Sequence, residues 1–278
     1  MTIVVTGATG HFGRLAIQSL LAKGVPADHI VGLGRQVDKI ADLGVRVKQV
    51  AYEDLAGLKA AFTDADKVLF VSGSEVGQRI AQHRNVVEAA KEAGVGLVVY
   101  TSAPKADTTD MKLAVEHLAT ERMLAESGVP HVILRNGWYL ENYDVDQAVR
   151  HGLVGAAGEG RISAATRADL AEAAASVLVG DGHAGKVYEL GGESFTMAEL
   201  AAEISRQAGK PVTYTDLDEQ KYVQFLTSVG LPEPFAATLA DSDRAASQGA
   251  LYVDRTDLEN LLGRPVTPLS DAIGSALA

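Results

Sequence analysis

Short runs of Val, Ile and Leu recur along the chain, separated by segments with helical periodicity. The runs are Thr2–Thr6, Ile30–Gly34, Val45–Val50, Lys67–Ser72, Gly96–Ser102 and His131–Arg135, and Lys186–Leu190 reads as a seventh. Helix-period segments occupy 12–22, 53–63, 79–94, 112–128 and 168–180. Continuously apolar runs of this length predict strands buried on both faces. Their alternation with helices predicts βαβ units and an α/β, Rossmann-type doubly wound parallel sheet. Right-handed crossovers then place ligands at the carboxyl ends of the strands.

The pattern changes after Gly192. Thr196–Gly209 predicts an amphipathic helix with Thr196 as N-cap and Gly209 as its stop. A short strand at Val212–Tyr214 and helices near 218–229, 235–247 and 255–262 are expected next, punctuated by Pro232, Pro234, Pro265 and Pro268. The expected division is a nucleotide-binding domain of 1–135 and 153–190, with a smaller, mainly helical substrate lobe of 136–152 and 191–278.

The first strand runs directly into Thr6-Gly7-Ala8-Thr9-Gly10-His11-Phe12-Gly13. This G-x-x-G-x-x-G spacing is a variant of the dinucleotide fingerprint. Gly7 permits a tight turn, Gly10 admits a pyrophosphate, and Gly13 lets helix and sheet approach. Thr9, His11 and Phe12 complete the loop, and the helix that follows offers free N–H groups to an anion. The second strand ends in Gly34-Arg35, with no carboxylate before Asp38. An NAD site usually carries an acid there to bind the ribose 2′-hydroxyl. Arg35 instead suits a 2′-phosphate, with Lys39 adding charge, so NADPH is expected to bind more tightly than NADH. A solvated arginine at a strand end is the alternative. Glu53, after the third strand, is placed to accept from the adenine amino group or merely to favour a helix start. Ser72, Gly73 and Ser74 follow the fourth strand and fall on the ribose and nicotinamide side.

Charge and composition narrow the chemistry. There are 25 Lys and Arg against 36 Asp and Glu, a net charge of -11, which excludes a broad nucleic-acid surface. Cysteine is absent, which removes thiol nucleophiles and Cys-ligated metals. The seven histidines show no metal-ligand spacing, so no metal is expected. No basic leader or membrane-length apolar stretch occurs, so a cytoplasmic protein without membrane partners is expected. None of the eight tyrosines has a lysine four residues on, so the proton-donating Tyr-x-x-x-Lys pair of short-chain dehydrogenases is missing. That also weakens a sugar-nucleotide epimerase reading. His117 and Glu121 stand in its place at i, i+4, as a proton relay or as packing.

These features, with VVTGATGHFG (Val4–Gly13), SEVGQRIAQHR (Ser74–Arg84), LRNGWYLEN (Leu134–Asn142) and AAGEGRISAATRAD (Ala156–Asp169), resemble the NmrA-like branch of atypical short-chain dehydrogenases. GKVYELGG (Gly185–Gly192) and Val229–Pro232 extend the likeness almost end to end. Within that branch the chain most resembles type 2 NAD(P)H:quinone oxidoreductases, with triphenylmethane reductases as near relatives. The resemblance implies hydride transfer from NADPH to a small-molecule quinone without a flavin. It also implies a nicotinamide and substrate cleft lined by Asn136, Gly137, Trp138, Tyr139 and Asn142, with Thr166 and Arg167. His11 stands where close relatives commonly carry Gln.

The residues themselves agree. Trp138, the only tryptophan, with Tyr139 and Tyr143, concentrates aromatic area in a chain that is 5% aromatic, either to stack a quinone or to anchor the two lobes. A reduced quinone develops a phenolate-like oxygen, which needs less proton donation than an alkoxide. Tyr139 or Asn142 would stabilise that charge, and His117 is the third candidate catalytic group. Two other readings share this fold: a dinucleotide-binding redox sensor without turnover, and a triphenylmethane-dye reductase. A homodimer is compatible with the sequence.

Overall fold

Alternating hydrophobic segments become the alternating layers of the computed structural model, which describes all 278 residues. The chain runs β1 (Ile3–Val5), α1 (His11–Ala22), β2 (Ile30–Gly34), β3 (Arg46–Gln49), α2 (Leu55–Phe62), β4 (Lys67–Phe70) and α3 (Arg79–Ala93). It continues through β5 (Leu97–Ser102), α4 (Lys112–Ser127), β6 (His131–Asn136), α5 (Val145–His151), β7 (Leu153–Gly155), β8 (Ile162–Ser163), α6 (Arg167–Val179) and β9 (Val187–Leu190). The last part comprises β10 (Ser194–Phe195), α7 (Met197–Ala208), β11 (Tyr214–Asp216), α8 (Glu219–Ser228), α9 (Glu233–Ser247), α10 (Thr256–Leu262) and α11 (Leu269–Leu277).

Seven strands form a parallel sheet in the order β3-β2-β1-β4-β5-β6-β9. Strand order reverses at β1, which pairs with both β2 and β4, so a crevice opens above their carboxyl ends. Side-chain alternation divides the core. Ile3 and Val5 face α1 and α6, while Val4 faces the layer of α2, α3 and α4. Burial on both faces holds for β1, β2, β5 and most of β6, but not for β3, whose four residues are all exposed. As an edge strand, β3 carries Arg46, Lys48 and Gln49, polar residues of the kind that discourage pairing with another chain.

The second core collects Met111, Val145, Leu153, Ile162, Phe195, Leu200, Ile204 and Ile273. Helix α7 has the expected boundaries, with a Thr196–Glu199 capping box and Gly209 closing it at φ +64°. Three details depart from expectation. The strand near 212 lies at Tyr214–Asp216, because there it pairs in parallel with β7. Residues 153–163, expected with the nucleotide-binding part, pair through β7 and β8 with β11 and β10 rather than joining the large sheet. Helix α10, expected in the small lobe, returns to the first core, where Leu258 and Leu262 bury beside α6. Helices α5 and α11, 7 and 9 residues long, are not among the expected elements. No helix is long and apolar enough to cross a membrane.

Candidate active site

The cleft is built first by what glycine permits. Gly7 adopts φ +58°, a left-handed turn that a side chain would strain. A Cβ at Gly13 would collide with the backbone of Gly7 and lie 2.7 Å from Ala8 Cα. A Cβ at Gly34 would meet the Thr9 side chain at 2.5 Å, so the end of β2 must also be bare. With all three absent, α1 starts hard against the sheet. Gly10 is its N-cap, and no side chain caps the first turn. The free N–H groups of that turn are therefore available to an anion.

Polar contacts fix the surrounding walls. Thr6 Oγ1 accepts from Val71 N at 3.0 Å and lies 2.6 Å from Tyr52 Oη, which donates to Val71 O at 2.5 Å. Tyr52 thus bolts the turn to the end of β4, and burial pushes its phenol well up. Ser72 N donates to Thr101 Oγ1 at 2.9 Å and Gly73 N to His83 Nε2 at 2.9 Å. Because Nε2 accepts, the His83 proton is assigned to Nδ1, which donates to Thr120 Oγ1 at 2.8 Å. Burial, reinforced by Arg79, lowers His83 to about 3. Arg79 Nε donates to Gly73 O at 2.6 Å, and its Nη1 is buried without a hydrogen-bond partner, 3.8 Å from Glu116. Burial lowers this guanidinium's pKa, against the pull of Glu116.

A cavity of about 430 Å³ results. It is lined by Gly7, Thr9, Gly10, His11, Phe12 and Gly13, by Arg35 and Glu53, and by Ser72, Gly73 and Ser74. Tyr139 and Arg167 close one end. Tyr139 stacks on Phe12 with ring centroids 6.3 Å apart, and the Arg167 guanidinium lies 4.9 Å from the Tyr139 ring centre. Glu53 is free to face the cleft because its neighbour Asp54 caps α2, accepting from Gly57 N at 2.8 Å.

Other expected residues are not in this lining. Asn142 lies behind Arg167, accepting from Nη2 at 2.8 Å. Thr166 caps α6 by accepting from Asp169 N at 3.0 Å. Gly137 is structural: a Cβ there would come within 2.7 Å of Leu190 O and 2.8 Å of Ser163 O. Trp138 packs on the second core, and Tyr143 joins it there edge-on to Phe195, so the expected quinone-stacking aromatics reduce to Tyr139. Asn136 is 4% exposed; its Nδ2 is 3.4 Å from Tyr139 Oη, and its Oδ1 has no partner.

His117 requires the clearest correction. It is 5% exposed, lies 2.9 Å from Tyr100 Oη through Nδ1, and is lowered by burial to about 3. Its supposed partner Glu121 instead takes Arg135 Nε at 3.0 Å, Arg135 Nη2 at 2.7 Å and Ser102 Oγ at 2.6 Å. Burial draws Glu121 to the sheet's buried cation rather than to a histidine one turn away. Conversely, Tyr52, Arg79 and Gln82 line the cleft and were missed. Only the GQR segment at Gly77–Arg79 hinted at Arg79, and nothing local marks it as buried.

The site fits a dinucleotide: a glycine turn that a Cβ would fill, an uncapped helix start, and a cation at the end of β2. The NmrA-like family profile matches residues 1–263, and the chain belongs to that family. It is 50% identical to Quinone oxidoreductase 2 of Escherichia coli (strain K12) over 278 residues, covering 98% of this chain and 97% of that one. Its fold matches an NADPH-dependent quinone oxidoreductase of Escherichia coli complexed with NADPH, at TM-score 0.96 and 48% identity, with 100% of both chains covered. A Citrobacter sp. triphenylmethane reductase complexed with NADP(H) matches at TM-score 0.93 and 38% identity, covering 99% of this chain and 100% of that one.

Proposed function

We propose that this protein is an NADPH-dependent quinone oxidoreductase that needs no flavin. The observation that carries the reading is full-length 50% identity to a quinone oxidoreductase, and the cleft has the features such a reaction needs. The net reaction takes NADPH, a quinone and one proton to NADP⁺ and a hydroquinone. Bound NADPH supplies the hydride. This chain supplies placement. Gly7, Gly10, Gly13 and the first turn of α1 hold the pyrophosphate, with Thr9, His11 and Phe12 around it. Arg35 holds the 2′-phosphate, which NADH lacks and for which NADH binds more weakly. Glu53 meets the adenine, and Ser72, Gly73 and Ser74 line the middle of the groove.

At the far end, Tyr139 offers a flat face and a phenol that burial keeps protonated. Arg167 and Arg79 also line the cavity and bring positive charge towards the Tyr139 phenol, where it can meet developing oxygen charge. Asn142 acts as a positioning residue, through its hydrogen bond to Arg167. His117 supports the sheet from behind. The segments 136–152 and 191–278 apart from α10, joined by β7 and β8, form the lobe that covers the acceptor.

The test is NADPH oxidation followed at the nicotinamide band with a simple benzoquinone. Loss of absorbance above the uncatalysed rate, one NADPH per hydroquinone and with no added flavin, is expected. Tight NADPH binding without turnover on any quinone or triphenylmethane dye would overturn the reading in favour of a sensor.

A further inference from the structure

Arg35 is exposed but not unpaired. Its Nη1 donates to Glu75 Oε1 at 2.7 Å, across 40 residues of chain. The other Glu75 oxygen accepts from Gln82 Nε2 at 3.0 Å, and that same nitrogen donates to Glu53 Oε1 at 2.6 Å. Gln82 is 6% exposed, and both its N–H groups are spent holding two carboxylates. All four residues line the cavity, so Arg35, Glu75, Gln82 and Glu53 form a continuous chain of contacts across it. Glu75 is therefore held in position from the α3 side, against the cation at the end of β2.

No neighbouring arginine is free to do the work of Arg35, and Lys39, whose ammonium makes no ion pair, is absent from the cavity lining. Arg14, in the first turns of α1, is committed to Asp42 and to Lys39 O. Arg79 is tied to Gly73 O, and Arg167 to Asn142 and the Tyr139 face. Glu75 takes only Nη1, so a 2′-phosphate that binds the remaining N–H groups of Arg35 shares the cation with the carboxylate and stands beside a second anion. A dinucleotide with a free 2′-hydroxyl makes no such demand and leaves the ion pair intact.

We propose that Glu75 is a specificity-determining residue: its carboxylate competes with a 2′-phosphate for the charge of Arg35, and so limits the preference for 2′-phosphorylated dinucleotides. The proposal rests on the reading that Arg35 receives the 2′-phosphate. Both side chains are substantially exposed, 65% for Arg35 and 42% for Glu75. An exposed pair of this kind is weak, equivalent to about 1.5–5-fold in an equilibrium constant. Glu75 is accordingly a brake on cofactor choice and not a lock.

Titrations of the full-length protein with NADPH and NADH, followed by reduced-nicotinamide fluorescence, test this. Glu75→Gln keeps the size and the Gln82 contact but removes the charge. It is expected to tighten NADPH about 2–5-fold, leave NADH unchanged, and lose most of this effect in 0.5 M salt, roughly a 4 Å screening length. Equal tightening of both dinucleotides, no change for NADPH, or weaker NADPH binding would overturn the proposal. Arg35→Ala separates it from the reading beneath. If Arg35→Ala fails to weaken NADPH selectively, the 2′-phosphate assignment itself falls. If Arg35→Ala weakens NADPH yet Glu75→Gln does not tighten it, only the role of Glu75 falls. In the Arg35→Ala background, Glu75→Gln is expected to change NADPH binding little, and an undiminished gain there would show general charge repulsion instead.

Discussion

Gly10 and Gly13 stand three residues apart in one motif, yet the structure assigns them different work, and alanine separates the two roles. At Gly13 the added methyl would press on the Gly7 carbonyl and lie 2.7 Å from Ala8 Cα and 2.8 Å from Gly7 C. These are backbone atoms and cannot rotate aside, so α1 must lift from the turn. Overpacking of this kind costs up to about 3 kcal/mol, offset by about 1 kcal/mol of helix propensity gained over glycine. The net is about 2 kcal/mol of destabilisation without any ligand. At about 2–4 °C per kcal/mol for a chain near this size, Gly13→Ala melts roughly 4–8 °C lower. At Gly10 the nearest atom is Gly7 O at 3.3 Å, and φ is -87°, which alanine adopts freely. The lost preference for glycine at an N-cap and the reduced entropy of the unfolded chain nearly cancel, so apo stability changes by less than about 0.5 kcal/mol. Its methyl instead enters the cavity where the pyrophosphate approaches. Thermal unfolding with and without NADPH reads both effects. At 100 times its Kd, NADPH stabilises the native state by about 2.7 kcal/mol, and Gly10→Ala is expected to lose most of that increment. A Gly13→Ala protein that melts like the wild type, or a Gly10→Ala protein that keeps the full NADPH increment, refutes this division.

Arg135 ties Glu121, Asp107 and Glu189 together at 2.7–3.0 Å while only 8% of its side chain is exposed. Arg135→Met leaves Glu121 buried without its cation and is expected to lose about 3–5 kcal/mol in urea unfolding. His83 and His117, each lowered by burial from the ordinary 6.5 to about 3, stay neutral in the fold. The unfolded chain takes up protons first, so their contribution is complete above pH 6.5 and is lost as pH falls towards 3. His117→Gln should flatten the decline in unfolding free energy between pH 7 and 5, and an unchanged slope would contradict this. Tyr139→Phe keeps the stack on Phe12 and the Arg167 contact but removes the phenol. We expect NADPH Kd within twofold of wild type and kcat with benzoquinone lowered about 5–10-fold, the worth of one hydrogen bond to the developing oxygen charge.

Much of this molecule is local in origin and was therefore visible in sequence. The parallel sheet follows from buried apolar runs alternating with helical segments, and helix α7 from a capping box and a terminal glycine. The glycine turn and Arg35 follow from their places at the ends of β1 and β2, because in this topology those ends meet at one crevice. The same logic failed for His117. An i, i+4 spacing on α4 shows that two side chains share a helix face, but not which partner the sheet presents to each. Arg135 from β6 claimed Glu121, and Tyr100 from β5 took the histidine.

The sequence by itself determined the class of fold, the glycine turn, the cation beside it and the family. Each depends on neighbours within a few residues or on a topology that admits one arrangement. Only the tertiary structure decided which residues face the cleft. It turned Trp138 into the lobe core, set Asn142 behind Arg167, and buried Arg79 against Gly73 O. It also brought Glu75 across 40 residues to Arg35. The physical reason is that burial and charge pairing are settled between elements far apart in the chain, where local periodicity carries no information.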